Sequence, residues 1–445
     1  MGSQYRRVQS AASSLRGLAL LFEHFFAGRL VPARRGQGSR QRQFGRVDIF
    51  WAFLSQVLNR GDSCRSALCR LQAQAIADGR VRPSDNTSAY CQARSALCLR
   101  WLQTLFQALE QWFLPRTCGD WFGRTVRVID GSGFSMPDTP QNCAVWPYAG
   151  GQKPGCGFPV GKFVGLFCLH SGRLLGFGHD TWKAHDLRLA RKLLSLLRPS
   201  EVLVADRAYC GWGFLALLHK RKVDFVFRLH GARKIPHSPK RSVSLRWPRP
   251  KCPDAESLWH WRRLPAFLNL RLVRVTVPRR GFRTRSFRVV TSLLDHNQFP
   301  DEAIAQLYAQ RWQIELHYRQ IKVNLRLDIL RGLSPAIIER ELWMHALAYN
   351  LVRALMLEAS LISGRPPSGL SFKGTLDALE SWSRVATPRT LRRLLLHLSL
   401  RIASDAVPFR PGRCEPRAKK RRPKNYQFMT RPRKSMRVSV SRSLK

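Results

Sequence analysis

The sequence predicts an α/β protein whose mixed strand-and-helix core is flanked by helices on both sides and interrupted by a β-rich stretch. Residues up to about 115 carry helical periodicity and almost no strand signal. From about residue 124, short β-branched runs alternate with amphipathic stretches. Between about 228 and 286 the hydrophobic period shortens to two, the mark of half-exposed antiparallel strands. With 445 residues, 44% of them hydrophobic, the chain can bury a sizeable core and hold more than one domain.

Helices are expected at Val47–Leu58, Cys64–Ala77 and Ser88–Phe113, the last opened by the cap-like run Ser84-Asp-Asn-Thr. Thr125-Val-Arg-Val-Ile is a strand that ends at Asp130 and a glycine-rich turn, followed by Phe134 to Asn142. His179, Asp180, His185 and Asp186 crowd together, but they precede an amphipathic stretch from Ala184 to Leu197 and read as a helix start rather than a metal cluster. Glu201-Val-Leu-Val-Ala is a buried, parallel-type strand ending at Asp206. Ser242–Trp247, Leu268–Val277 and Ser286–Thr291 alternate apolar with basic or polar residues, as strands with cationic outer faces do. A helix is then expected from Pro300, with Asp301 and Glu302 in its first turn and Arg331-Gly332 as its stop. Helices return from Ala336 to Leu400, and from Pro408 the chain becomes a proline-broken basic tail.

One face of the helix after Pro300 is unusual. At about 100° per residue, Arg311, Trp312, Glu315, Arg319 and Lys322 all fall within roughly 60° of Tyr308. Glu315 is the only acid between Ala303 and Leu327, set among cations suited to phosphate oxygens. A solvated basic face is the plain alternative, yet it explains neither the interleaved aromatics nor the single carboxylate.

The pattern Tyr308-x2-Arg311-x3-Glu315-x6-Lys322 resembles the Y-R-E-K signature of insertion-sequence DDE transposases. The resemblance extends to the motifs around Asp130 and Asp206, to Gly151–Pro159, to a strand at Thr291-Ser-Leu-Leu, and over most of the chain from Ser84 to Lys445. It implies a ribonuclease-H-like core in which Asp130, Asp206 and Glu315 hold Mg2+ or Mn2+, as two ions. Tyr308, Arg311 and Lys322 would then clamp the transferred strand with Arg319 beside them, while Trp312 either stacks on a displaced base or packs in the core. It also implies cut-and-paste transposition, with double-stranded DNA at the terminal inverted repeats and target DNA as partners, and a homodimer assembled on DNA.

On this reading residues 1–115 form a helical domain that binds DNA ends, and 124–227 are the first part of the core. Residues 228–286 are a β-rich insertion, 287–407 complete the core with its C-terminal helices, and 408–445 are the basic tail. The insertion accounts for an interval between Asp206 and Glu315 longer than such a core needs.

Charge points the same way. Lys plus Arg number 76 against 28 Asp plus Glu, a formal net charge of +48, which calls for a polyanionic partner. No apolar run approaches the roughly 20 residues of a membrane span, no cleavable signal is expected, and the location expected is the cytoplasm, on the nucleoid. The 11 cysteines form no CxxC pair and read as reduced thiols. Two rival readings are a non-catalytic DNA-binding descendant of a transposase and a ribonuclease-H-like nuclease that cuts without joining. A pure binder gains nothing from carboxylates facing DNA.

Overall fold

In the computed structural model, residues 14–30, 44–116, 121–151, 153, 155–230, 241–252, 258–279, 282–407, 429–432 and 435–436 are described. The chain opens with helices α1 (Ser14–Phe22), α2 (Arg46–Leu58), α3 (Cys64–Ala77), α4 (Thr87–Ser95) and α5 (Leu99–Phe113). Ser63 caps α3 and Asn86 caps α4, each side chain accepting a backbone N–H of the first turn. The single helix expected from Ser88 to Phe113 is two, interrupted at Ala96–Cys98. Tyr90 and Arg94 turn inward to Gln56, at 3.0 and 3.1 Å, so the break frees α5 to aim its own stripe of Leu102, Leu105 and Leu109 at the core.

The core sheet contains β1 (Val126–Ser135), β2 (Val160–Cys168), β3 (Leu174–Thr181), β4 (Val202–Ala205), β5 (Asp224–Arg228), β6 (Ser242–Pro248), β7 (Phe267–Arg279) and β8 (Phe282–Thr291). Their order is β3-β2-β1-β4-β5-β8-β7-β6. β1, β4 and β5 run parallel and the remaining neighbours pair antiparallel. The basic alternating strands therefore extend the core sheet, with β8 joined to β5 through Val226 opposite Thr291. The strand expected at Thr291-Ser-Leu-Leu ends at Thr291. Arg271 also departs from the outward-facing pattern: it is buried and donates to the Phe299 carbonyl (2.6 Å) and to Asp301 (3.0 Å), anchoring β7 to the start of the next helix.

Helix α6 (Pro140–Val145) follows β1, α7 (Asp186–Leu193) follows β3, α8 (Trp212–Lys220) follows β4, and α9 (Leu258–Arg262) lies between β6 and β7. Leu189, Leu193, Phe214, Leu215 and Leu218 of α7 and α8 cover one sheet face, meeting Ile129, Leu203 and Phe225. The other face carries Val128, Val204 and Val226 under α10 (Asp301–Gln310), α11 (Gln313–Arg319) and the long α12 (Pro335–Ser363). α13 (Phe372–Ser383) and α14 (Leu391–Ser404) complete that side, and the N-terminal helices share its core through α2 and α5 against α12. Among the described residues α12 is the one helix long and apolar enough to cross a bilayer, and 78% of that stretch is buried inside the protein. The basic tail, 408–445, lies almost wholly outside the described residues.

Candidate active site

The site begins where β1 and β4 run side by side. Val126, Arg127 and Val128 pair with Val202, Leu203 and Val204, and Asp130 and Asp206 each lie two residues farther on, so parallel register sets both aspartates at one level. Asp130 accepts the Gly131 N–H at 2.8 Å, and Asp206 accepts that of Ala208 at 2.8 Å as the cap of a short turn. Burial, with added like charge from Asp206 and Asp186, lifts the Asp130 carboxyl to about 6, against the opposing pull of the Gly131 N–H and Arg311.

Glu315 approaches on the adjoining helices, which do not form the continuous helix expected from Pro300 to Arg331. α10 stops at Gln310, the chain turns at Arg311-Trp312, α11 resumes at Gln313, and a π-helical turn over Gln320–Asn324 closes it. The break turns Tyr308 inward, 6% exposed, with its ring edge-on to Phe287, and leaves Trp312 55% exposed. Burial raises the Tyr308 hydroxyl pKa, so it stays protonated. Arg311 reaches both ways, 3.9 Å from Asp130 and 3.7 Å from Glu315. Lys322 projects from the π turn and donates to Ser132 of β1 at 3.0 Å, whereas Arg319 is solvent-exposed.

The expected residues are thus partly gathered. Asp130 and Asp206 sit together, while Glu315, its side chain 60% exposed, is linked to Asp130 through Arg311. Among the described residues no three His, Cys, Asp or Glu side chains stand close enough to hold a metal ion as a group. The His179 to Asp186 cluster is a helix start, with His185 capping α7 through the Leu187 N–H at 3.2 Å.

Several contributors carry no sequence motif of their own. Tyr318, on the buried face of α11, donates to the Asp130 carbonyl at 2.5 Å and accepts from the Gly165 N–H at 3.0 Å. Ser135 and Asp328 join at 2.9 Å, Leu330 donates to Ser135 at 2.9 Å, and Asn142 donates to the Gly332 carbonyl at 3.0 Å. The segment behind Glu315 is thereby laced to the exit of β1. Across the sheet, a Cβ at Gly131 would lie 3.0 Å from Asp186 and 3.5 Å from the Tyr209 hydroxyl, so glycine lets those side chains pack closely against the strand behind the site.

Residues 121–351 match the family model for the transposase DDE domain. The transposase InsG for insertion sequence element IS4 from Escherichia coli (strain K12) is 28% identical over 419 residues, 90% of each chain. A solved structure, the piggyBac transposase synaptic complex with hairpin DNA, is similar at a TM-score of 0.43 and 12% identity, covering 89% of this chain and 87% of that one.

Proposed function

The chain belongs to the DDE-domain transposase family, and we propose that Asp130, Asp206 and Glu315 are the carboxylates with which it cuts and joins DNA. Its activity is transposition, the cleavage and transfer of DNA strands. The observation that carries the site is the pair of aspartates level on β1 and β4, tied to Glu315 by one guanidinium.

The two aspartates, level on β1 and β4, fit a divalent cation. Two adjacent carboxylates, one lifted to about 6 by burial and then by its neighbour's charge, carry repulsion that a hard cation with oxygen ligands relieves. Mg2+ or Mn2+, as two ions, would be held by Asp130, Asp206 and Glu315. Bound there, it supplies activation of the attacking oxygen and charge neutralisation of the leaving 3′-oxygen.

The protein's own groups then hold the strand in line. Arg311 and Lys322 present cations at the two ends of the Glu315 helix and take phosphate oxygens. Tyr308 buttresses Arg311 from below, Arg319 adds a phosphate contact at the rim, and exposed Trp312 stacks on a displaced base. A water oxygen would attack the phosphorus at the element end and break its P–O3′ bond, freeing a 3′-OH, and that 3′-OH would later attack a target-strand phosphorus and displace the target's own 3′-oxygen.

The proposal extends to a ribonuclease-H-like core over 124–227 and 287–407, a DNA-end-binding role for residues 1–115, and a basic surface on the 228–286 strands. Terminal inverted repeats and target DNA are the partners, with a homodimer on DNA in the cytoplasm. The test is incubation of full-length protein with labelled element ends, with and without Mg2+, resolving nicks, hairpins and joined products. Metal-dependent nicks followed by joined products support the reading; nicks without joining would make it a nuclease.

A further inference from the structure

The end of the sheet away from Asp130 gathers buried guanidiniums that strand cutting does not use. Arg127 stands three residues before Asp130 on β1, so strand alternation turns it to the other face. It donates to Glu201 through Nε at 3.1 Å and Nη2 at 2.5 Å, while its buried Nη1 has no hydrogen-bond partner among the described residues. Arg173, in the turn from β2 to β3, is fully buried. Its Nη1 donates to the Glu110 carbonyl at 3.4 Å and its Nε stands 3.7 Å from the Glu110 carboxylate, but its Nη2 has no hydrogen-bond partner among the described residues. Both arginines line a cavity of about 260 Å3 between α5 and this end of the sheet, with exposed Arg198 at the rim. Arg353 of α12 lies buried against Gly172 of the same turn, its Nε and Nη2 likewise without partners among the described residues.

A buried charge is costly unless it is paired. Against Arg127, Arg173, Arg198 and Arg353 the described residues set the carboxylates of Glu110 and Glu201. Burial pushes Glu110 up to about 7, against the pull of Arg173, Arg127 and Arg198, so near neutral pH it is protonated much of the time. Positive charge is therefore in excess, and N–H donors are left over beside a cavity. Guanidinium forks converging from two strands match the several oxygens of a tetrahedral oxyanion. The space exceeds the share of a single water, about 30 Å3, several times over, which leaves room for such an ion. A duplex passing the rim would meet Arg198, whereas Arg127 and Arg173 lie behind it.

We propose that this cavity binds a small oxyanion of the phosphate class, held by Arg127 and Arg173 with Arg198 at the mouth, apart from the carboxylates that cut DNA. Glu110 competes with the ion for Arg173. The bound ion would tie α5 to β1 and the β2–β3 turn, joining the N-terminal helices to the sheet through charge-assisted hydrogen bonds.

The test titrates full-length protein with inorganic phosphate by calorimetry, at constant ionic strength and with a chelator present. Wild type should show a saturable site. Glu110→Gln removes the competing charge at constant size and should tighten phosphate about threefold or more, while Arg198→Ala should weaken it by about the same factor. Arg173→Lys keeps the charge but loses the fork and should weaken it about tenfold. Arg311→Ala, in the proposed cutting site, should leave phosphate affinity unchanged. An affinity that neither Glu110→Gln nor Arg198→Ala moves would overturn the proposal. So would binding lost in Arg311→Ala, which would put the phosphate at the cutting site. Duplex affinity lowered by Arg198→Ala with phosphate affinity kept would make the rim a DNA-backbone contact and overturn it as well.

Discussion

The Tyr318 hydroxyl joins the helix of Glu315 to the strand of Asp130, donating at 2.5 Å to the Asp130 carbonyl. Burial holds its pKa well above the ordinary tyrosine value, so it remains a donor at any working pH. Tyr318→Phe leaves a buried carbonyl short of its partner, which should cost about 1–3 kcal/mol of stability. Because the same bond sets the spacing of two proposed carboxylates, cleavage should fall about tenfold or more with DNA affinity unchanged. Denaturation and single-turnover cleavage check both; a stability loss with full cleavage would reduce the bond to a structural one.

Asp130 makes the site pH-sensitive. Its folded-state pKa of about 6 exceeds the unfolded value of about 3.9, so its contribution to stability is present below about pH 4 and lost as pH rises through 6. At neutral pH the charged carboxylate therefore burdens the fold, by a cost on the order of 3 kcal/mol. With a chelator present, Asp130→Asn should melt above wild type at pH 7.5, and the gap should close toward pH 4. A variant that melts lower at pH 7.5 would contradict the burial and repulsion assigned to this group.

Asp130→Asn, Asp206→Asn and Glu315→Gln should each abolish strand cleavage while leaving DNA binding largely intact. Ligation of a cation needs the negative charge, whereas affinity comes from an excess of basic residues, 76 against 28 acidic. Gel-shift and cleavage assays on the same preparations separate the two effects. Near wild-type cleavage by any one of them removes that residue from the site.

Arg311→Ala and Lys322→Ala should depress catalysis more than affinity. Each is one cation among 76, yet Arg311 spans Asp130 and Glu315 and Lys322 is seated on Ser132. Arg311 also lowers the Asp130 pKa, so removing it should shift the acid limb of the cleavage profile to higher pH. Parallel losses in binding and cleavage would argue for phosphate contacts remote from the reacting strand.

Asp206 stands where its apolar run predicts, at the end of β4 before a turn. Asp130 does not: the glycine-rich segment read as a turn after it, Gly131–Ser135, continues β1 in register with β2, because glycines there leave room for Asp186 and Trp182 against the strand. The common level of the two aspartates was not legible, since it depends on the β1–β4 register. The break at Arg311-Trp312 was hidden for another reason. Every residue there is helix-compatible, without glycine or proline, and the turn comes with the burial of Tyr308 and the reach of Arg311 to Asp130. The π turn at Gln320–Asn324 has no sequence mark either. Tyr318 escaped notice because a straight helix sets it about 80° from Tyr308, at the margin of the basic face. The alternation of β6 to β8 was plain, but their joining the core sheet through β5 is a long-range pairing that period alone cannot encode.

The tail offers the most direct electrostatic prediction. Residues 410–445 hold 14 Lys or Arg and a single acid, Glu415, with neither strand nor helix periodicity for a base-reading surface. If half of those cations meet phosphates, deleting the segment should flatten the slope of log K against log salt by about 0.9 per contact, or roughly 6 in all. Preference for element ends over random DNA should change little, because phosphate contacts position a protein without reading sequence. Salt titrations of full-length and truncated protein on both kinds of DNA decide the matter. An unchanged slope would leave the tail without phosphate contacts, and a loss confined to element ends would give it a part in sequence recognition.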